Sequence, residues 1–282
     1  MFKYPVLFAF AITSLQVGAA IAKDLPDHLT IATEGSYAPW NFTKSDGSLS
    51  GYDVELTKVL CERMKVKCDV VSQEWKGIIP GLTLGKYDAI IAAMGVTEER
   101  KKVVAFSVPY AKSPNGFLTT KDSALKDLPN AGLNFDLTAS PKESTTAIEE
   151  LKSKLAGKII GVQTGATAGY FVKENFKGLD IREYPSFDQL GLELSSGRID
   201  VAVASVTAFK ASMDAHPENN FVFTGPTFKG GVLGQGTTNV ALRPADTALR
   251  EAFNSAIDSV NKDGTNKSLT EKWFGIDISS SQ

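Results

Sequence analysis

The sequence predicts an α/β protein of two lobes, joined by a hinge that the chain crosses twice. Strands and helices alternate between residues 29 and 94, which is typical of a parallel sheet covered by helices. A second alternating series, opening with a helix near 146–155, follows an irregular polar stretch at 121–145. The residues after 235 are too few for their own core, so we expect them to pack on the first lobe. The predicted boundaries are 23–116 plus 234–282 for lobe 1 and 117–233 for lobe 2.

Caps and apolar runs predict the individual elements. Short apolar runs indicate strands at 29–32 and 88–94. Asp53 and Ser186 each precede an amphipathic segment and are predicted to cap its helix. Apolar residues at helical spacing predict a long helix over 245–260. Because ligands of open α/β sheets bind at the carboxyl ends of the strands, we expect the site in the cleft between the lobes.

The first 22 residues predict a cleaved secretory signal peptide. Lys3 precedes an apolar block at 6–20, and Ala20-Ile21-Ala22 matches a cleavage site. An uncleaved anchor is the alternative, but the block is short for a membrane span. No cysteine lies at the cleavage site, which argues against a lipid anchor there. We therefore expect a soluble protein that is exported.

Charge and cysteine content indicate which kinds of binding partner and cofactor are not expected. The chain carries 30 basic and 32 acidic residues, and loss of Lys3 with the leader makes it slightly more acidic, which favours neither nucleic acid nor an anionic membrane. Cys61 and Cys68 are predicted to form a disulfide, since they lie close together in an exported chain. A metal site would need further ligands, and His28 and His216 are isolated, so no metal or other cofactor is expected.

A carboxylate-binding position is predicted around Arg100. The apolar run ends at Gly95, where backbone can approach a ligand closely. Thr97 is a natural helix cap, so free amides and the arginine fork would lie together. The alternative is that Arg100 pairs with Glu98 or Glu99 on a solvated surface.

Other candidate ligand-binding or catalytic residues, each considered alone, give weaker signals than Arg100. The turn 161–167 leaves free amides but is neither a P-loop nor a dinucleotide fingerprint. Tyr37, Trp40 and Trp75 could form an aromatic wall, although Trp40 suits a core role better. Glu34 lies at the end of the first strand, where its carboxylate could accept a hydrogen bond from a ligand. The alternative is an exposed acidic residue of a loop. The S-x-x-K run at 123–126 lacks its companion motifs, so covalent catalysis is not indicated.

Six short segments taken together resemble the periplasmic solute-binding proteins for polar amino acids. They are Glu34–Trp40, Gly51–Val54, the C-x6-C pair, Gly77–Pro80, Val96–Arg100 and Lys272–Phe274. The resemblance covers nearly the whole mature chain. Within that family the sequence looks most similar to the octopine- and nopaline-binding proteins of opine transporters, and next to the lysine/arginine/ornithine and histidine receptors.

The resemblance implies a Venus-flytrap fold that closes on one small molecule and hands it to an inner-membrane ABC permease. Such a receptor is a monomer without a cofactor. By analogy Arg100 clamps a ligand carboxylate, Tyr37 and Trp75 sandwich the ligand body, and Glu34 takes a polar or cationic end. The implied ligand-binding residues are Glu34, Tyr37, Trp75, Ala92, Ala93, Met94, Gly95, Arg100, Asn115, Gly165, Ala166, Thr167 and Ser205.

Departures from the family pattern bear on the ligand. Amino-acid receptors usually hold the α-ammonium with an aspartate where this chain has Ser205, and Ala93, Gly95 and Ala166 replace hydroxyl residues. Less charge and more room favour a substituted secondary amine, as in an octopine, nopaline or mannityl-type opine. The alternative is a cationic amino acid such as arginine, lysine, ornithine or histidine. A periplasmic enzyme like cyclohexadienyl dehydratase is less expected, because only Glu34 could serve as its acid.

Overall fold

The computed structural model describes residues 25–280, and the predicted signal peptide at 1–22 lies outside them. In chain order the strands are β1 (His28–Thr33), β2 (Ser36–Tyr37), β3 (Asn41–Thr43), β4 (Leu49–Ser50), β5 (Lys67–Ser72), β6 (Ala89–Ile90), β7 (Ala105–Lys112), β8 (Asn115–Thr120), β9 (Asn134–Asp136), β10 (Ile159–Gln163), β11 (Asp180–Tyr184), β12 (Val201–Ser205), β13 (Phe221–Lys229) and β14 (Thr237–Leu242). The α-helices are α1 (Tyr52–Met64), α2 (Trp75–Thr83), α3 (Glu98–Lys101), α4 (Pro141–Lys154), α5 (Thr167–Asn175), α6 (Phe187–Ser195), α7 (Val206–Ala215), α8 (Thr247–Lys262) and α9 (Thr265–Phe274).

The sheet of the first lobe has the order β5-β1-β6-β14-β7. Strand β1 is parallel to β5 and β6, whereas β14 is antiparallel to β6 and β7. A strand from the end of the chain therefore lies inside the sheet that the start of the chain builds. Apolar residues of α8, including Phe253 and Ile257, share a core with Leu56 and Leu60 of α1. A small sheet of β2, β3 and β4 completes this lobe.

The sheet of the second lobe has the order β11-β10-β12-β8-β13-β9. Its central strands β10 and β12 are buried along most of their length, as their apolar runs predict. The chain passes between the two sheets after β7 and again after β13. These two connections are joined, because the Ser113 amide donates to the Gly236 carbonyl at 2.6 Å. The predicted two-lobed α/β fold with two crossings is thus confirmed.

Several local predictions need correction. The strand expected at 88–94 is paired only over Ala89–Ile90, since Ala93 adopts a left-handed backbone (φ 50°) that ends it. Asp53 does not cap α1: the cap is Gly51, and the Asp53 carboxylate bonds other partners, described below. The stretch 121–145 contains β9 and the start of α4, which begins at Pro141, a residue suited to a first helical turn.

Other local predictions are confirmed. Cys61 and Cys68 form a disulfide that joins α1 to β5. Thr97 caps α3 and Ser186 caps α6, each accepting a backbone N–H bond. Trp40 is fully buried against Tyr52 and Phe274, which is the core role expected for it. Among residues 25–280, no helix combines the length and apolar character needed to cross a bilayer.

Candidate ligand-binding site

A cavity between the two lobes brings the candidate residues together. Its volume is about 590 Å³, including the part open to solvent. Both lobes line it, because the carboxyl ends of β1, β10 and β12 all reach it. The lining residues are Glu34, Tyr37, Trp75, Ala92, Ala93, Gly95, Arg100, Ser113, Asn115, Gln163, Ala166, Thr167, Ala168, Val203, Ala204, Ser205, Leu233, Thr237 and Thr238.

All of the predicted ligand-binding residues line this cavity except Met94 and Gly165. Met94 is completely buried in the core of the first lobe with Ile78 and Ile90, so its side chain points away from the cavity. Gly165 takes part through its backbone, since its carbonyl accepts a bond from Arg100. That the lining residues contact a ligand stays a prediction.

Arg100 is buried at the cavity and lacks an acidic partner. Only 8% of its surface is exposed. Its Nη1 donates to the Gly95 carbonyl at 2.7 Å and its Nη2 to the Gly165 carbonyl at 3.1 Å, across the cleft. The guanidinium lies 5.2 Å from the centre of the Trp75 ring, a cation–π distance. Within residues 25–280 it makes no salt bridge, and the surface pairing considered as an alternative is not formed, because Glu98 and Glu99 pair with lysines instead.

Burial lowers the pKa of Arg100 to about 10, so the guanidinium remains charged at neutral pH. Backbone carbonyls satisfy two of its donors but neutralise none of its charge. A buried cation in this state is best compensated by an anion that enters the cavity. A carboxylate matches the fork of the guanidinium.

Glu34 is the second buried charge-bearing group of the cavity. It follows β1, is only 5% exposed, and is therefore not a surface loop acid. Its Oε1 accepts from Gln163 Nε2 at 2.7 Å, across the cleft, and from Ser36 Oγ at 3.2 Å. Burial raises the pKa of Glu34 to about 7, and the negative charges of Asp188 and Glu74 act in the same direction. A cationic ligand group beside Glu34 would favour its ionised form.

The aromatic residues of the cavity come from two elements of the first lobe. Trp75 is the first residue of α2, and Tyr37 ends the short strand β2. The Tyr37 ring packs edge-on against Phe187 of α6 in the second lobe, with ring centres 4.7 Å apart. Tyr37 is thus held by both lobes. Both rings supply the flat apolar surface that a sandwich around a ligand requires.

Ser205 lies in the second lobe at the junction of β12 and α7. Its hydroxyl oxygen accepts from Ser113 Oγ at 2.6 Å and lies 2.7 Å from Thr207 Oγ1. It also caps α7 through the Ala208 amide. Ser205, Ser113 and Thr207 thus form a group of neutral hydroxyls beside the cavity.

Sequence reasoning missed part of the lining. Gln163, which is 4% exposed, lies at the carboxyl end of β10, and a polar residue closing a buried strand was an available signal. Ser113 lies in the first crossing between the lobes, and Thr237 and Thr238 open β14 directly after the second crossing. The remaining missed residues are small or apolar and gave no signal: Ala168, Val203, Ala204 and Leu233.

The arrangement suits a small molecule with a carboxylate, a flat or extended body and a polar or cationic end. Arg100 and Glu34 offer opposite charges to one cavity, with aromatic surface beside them. Volumes of this order are common for small-molecule sites. In the described part of the chain, no group of three His, Cys, Asp or Glu side chains is placed to hold a metal ion.

Comparisons with known proteins show the family of this chain. The family model described as bacterial extracellular solute-binding proteins, family 3, matches residues 29–276. An octopine-binding periplasmic protein of Rhizobium meliloti is 40% identical over 269 residues, covering 89% of this chain and 91% of the relative. An L-arginine-binding protein of Pseudomonas aeruginosa is 31% identical over 282 residues, covering 99% and 98%.

Solved structures lead to the same fold. An ancestral arginine-binding protein bound to arginine superposes with a TM-score of 0.73 at 31% identity, covering 89% of this chain and 99% of the other. The match spans both lobes, as does the family model. This chain belongs to the bacterial extracellular solute-binding proteins, family 3.

Proposed function

We propose that this protein is a periplasmic receptor that captures an opine by closure of its lobes and delivers it to an ABC permease. The observation that carries the proposal is the buried Arg100, which faces the cavity charged and has no acidic partner among residues 25–280. A ligand carboxylate would supply that partner. The free energy of this pairing and of aromatic burial would offset the cost of desolvation and of ordering the lobes.

Ser205 supports an opine over a free amino acid. A primary α-ammonium would need an anionic partner, and the hydroxyls of Ser205, Ser113 and Thr207 are already hydrogen-bonded to one another. A substituted secondary amine needs more room than a primary one, and the small residues Ala93 and Gly95 line the cavity. The octopine-binding relative adds support. Octopine, nopaline and mannityl-type opines all fit this chemistry.

A cationic amino acid is the second candidate. Glu34, which also lines the cavity, could bind a guanidinium or ammonium, and the arginine-binding relative matches nearly the whole chain. Both candidates share the carboxylate clamp at Arg100. They differ in what surrounds the ligand amine.

The proposed receptor is non-enzymatic, monomeric and exported through a cleaved signal peptide. Relatives of the chain carry the names of binding proteins. The enzymatic alternative is a periplasmic dehydratase, in which Glu34 would have to serve as the acid. Turnover of prephenate or arogenate by the purified protein would contradict the receptor proposal.

Calorimetric titration with octopine, nopaline, mannopinic acid, arginine and histidine tests the proposal. We expect tight binding of one opine by the wild-type protein and its loss in Arg100→Ala. Lys101→Ala is the matched control, because Lys101 is an exposed cation of the same helix that pairs with Glu98. Binding of arginine without any opine would select the second candidate, and silence towards every ligand would overturn the proposal.

A further inference from the structure

The structure shows a buried carboxylate behind the cavity that is joined to both of its first-lobe loops. Asp53 lies in the first turn of α1, is completely buried and does not line the cavity. Its Oδ1 accepts from the Tyr110 hydroxyl at 2.9 Å, and its Oδ2 accepts from Asn41 Nδ2 at 2.8 Å. Both partners are also completely buried. Asp53 therefore holds two side chains that come from different strands, β7 and β3.

The first arm of this network ends at Ala93. The Tyr110 hydroxyl, which donates to Asp53, accepts from the Ala93 amide at 3.1 Å. Ala93 lines the cavity and has a positive φ of 50°, a conformation that costs an alanine about 1 kcal/mol or more. Because that backbone is unfavourable by itself, an external bond to its amide helps to fix it. Gly95 and then Arg100 of α3 come later in the same segment of chain.

The second arm ends at Gly35. Asn41 donates to Asp53 with its amide nitrogen and accepts from the Gly35 amide with its oxygen, at 2.8 Å. Gly35 lies between Glu34 and the strand that carries Tyr37. The orientation of Asn41 is fixed by its bond to Gly35, since a backbone N–H can only donate and therefore requires the amide oxygen as its acceptor.

We propose that Asp53 is a positioning residue, which sets the relative placement of the Ala93 loop and the Glu34–Tyr37 loop through Tyr110 and Asn41. The Asp53 carboxylate thus orients two loops. The Ala93 loop leads to Arg100, which is assigned to the ligand carboxylate, and the Glu34–Tyr37 loop is assigned to the polar end of the ligand. This assignment of ends rests on the proposed function. The hydrogen-bonded network itself does not.

Tyr110→Phe and Asn41→Ala separate the two arms, and Tyr52→Phe is the matched control. Tyr52 is an equally buried tyrosine of the same lobe whose hydroxyl bonds Asn266 at 2.6 Å and does not face the cavity. Hydrogen–deuterium exchange of the ligand-free proteins gives the first readout. We expect faster exchange at 92–95 in Tyr110→Phe and at 34–37 in Asn41→Ala, with neither change in Tyr52→Phe.

Ligand affinity gives the second readout, with octopine as the probe and arginine as the alternative. We expect each arm variant to bind about tenfold more weakly, as loss of a buried hydrogen bond predicts, while Tyr52→Phe binds within about twofold of wild type. Equal exchange changes in all three variants, or affinities that follow thermal stability alone, would overturn the positioning role. If wild type binds neither probe nor any other ligand of the calorimetric series, the proposed function fails, but the exchange pattern still decides the role of Asp53.

Discussion

The two charged ends of the cavity are built differently. Arg100 is held by backbone carbonyls and an aromatic ring, and its pKa of about 10 keeps it charged throughout the neutral range. Glu34 is held by a side-chain amide and a hydroxyl, and its pKa of about 7 lies where small changes alter its charge. One end is therefore a constant anchor, and the other adapts its ionisation to what it meets. Perturbing each end should affect binding in a different way.

The largest effect should come from Arg100→Ala. Removing the only group of the cavity assigned to the ligand carboxylate should weaken binding at least about a hundredfold at every pH, because truncating one partner of a buried charge pair costs roughly 2–5 kcal/mol. Arg100→Lys should recover part of this loss, since it restores the charge without the fork. Calorimetry measures both. Unchanged affinity in Arg100→Ala would show that Arg100 does not bind the ligand carboxylate.

Glu34→Gln should have a smaller and more selective effect. It keeps a side-chain oxygen for Gln163 but removes the negative charge, so a ligand with a cationic end should bind about tenfold more weakly. A ligand with a neutral polar end should bind nearly as before. Comparing octopine with mannopinic acid by calorimetry makes this distinction, and equal losses for both would show that Glu34 does not read ligand charge.

The pH dependence should sharpen the same contrast. Because the pKa of Glu34 is raised to about 7, affinity for a cationic-ended ligand should increase several-fold from pH 6 to pH 8 in wild type and stay level in Glu34→Gln. Stability of the ligand-free protein should change in the opposite direction. The folded state holds the proton more tightly than the unfolded state, so Glu34 makes the fold less stable as pH rises from about 4.5 through 7. Thermal unfolding of the two proteins across this range measures that difference.

The smallest effect on binding should come from the disulfide, which touches neither end. Replacing Cys61 and Cys68 together by serine removes a short cross-link at the far side of α1, and should lower the free energy of unfolding by about 2 kcal/mol. Affinity for the ligand should change less than about twofold. A large loss of affinity would show that the anchor and the adaptable end depend on this distant part of the lobe.

The anchor was easier to predict than its counterpart. Arg100 lies in a local pattern of glycine, cap and short helix, and α3 forms as that pattern predicts. Glu34 could be named as a candidate but its state could not, because its partner Gln163 is 129 residues away in the other lobe. Asp53 was assigned to a helix cap on local grounds, although its real partners come from β3 and β7. Local chemistry can be predicted from sequence, while contacts made by the folding of distant segments need the structure.

The hydrogen bond between Ser113 and Gly236 has a consequence for the mechanics of the molecule. It fastens the two connections side by side between the lobes. Two adjacent connections resist twisting and sliding of one lobe against the other more than they resist bending about an axis that passes through both. We therefore expect the lobes to open mainly by one rotation, which would break the Arg100–Gly165 and Gln163–Glu34 hydrogen bonds together.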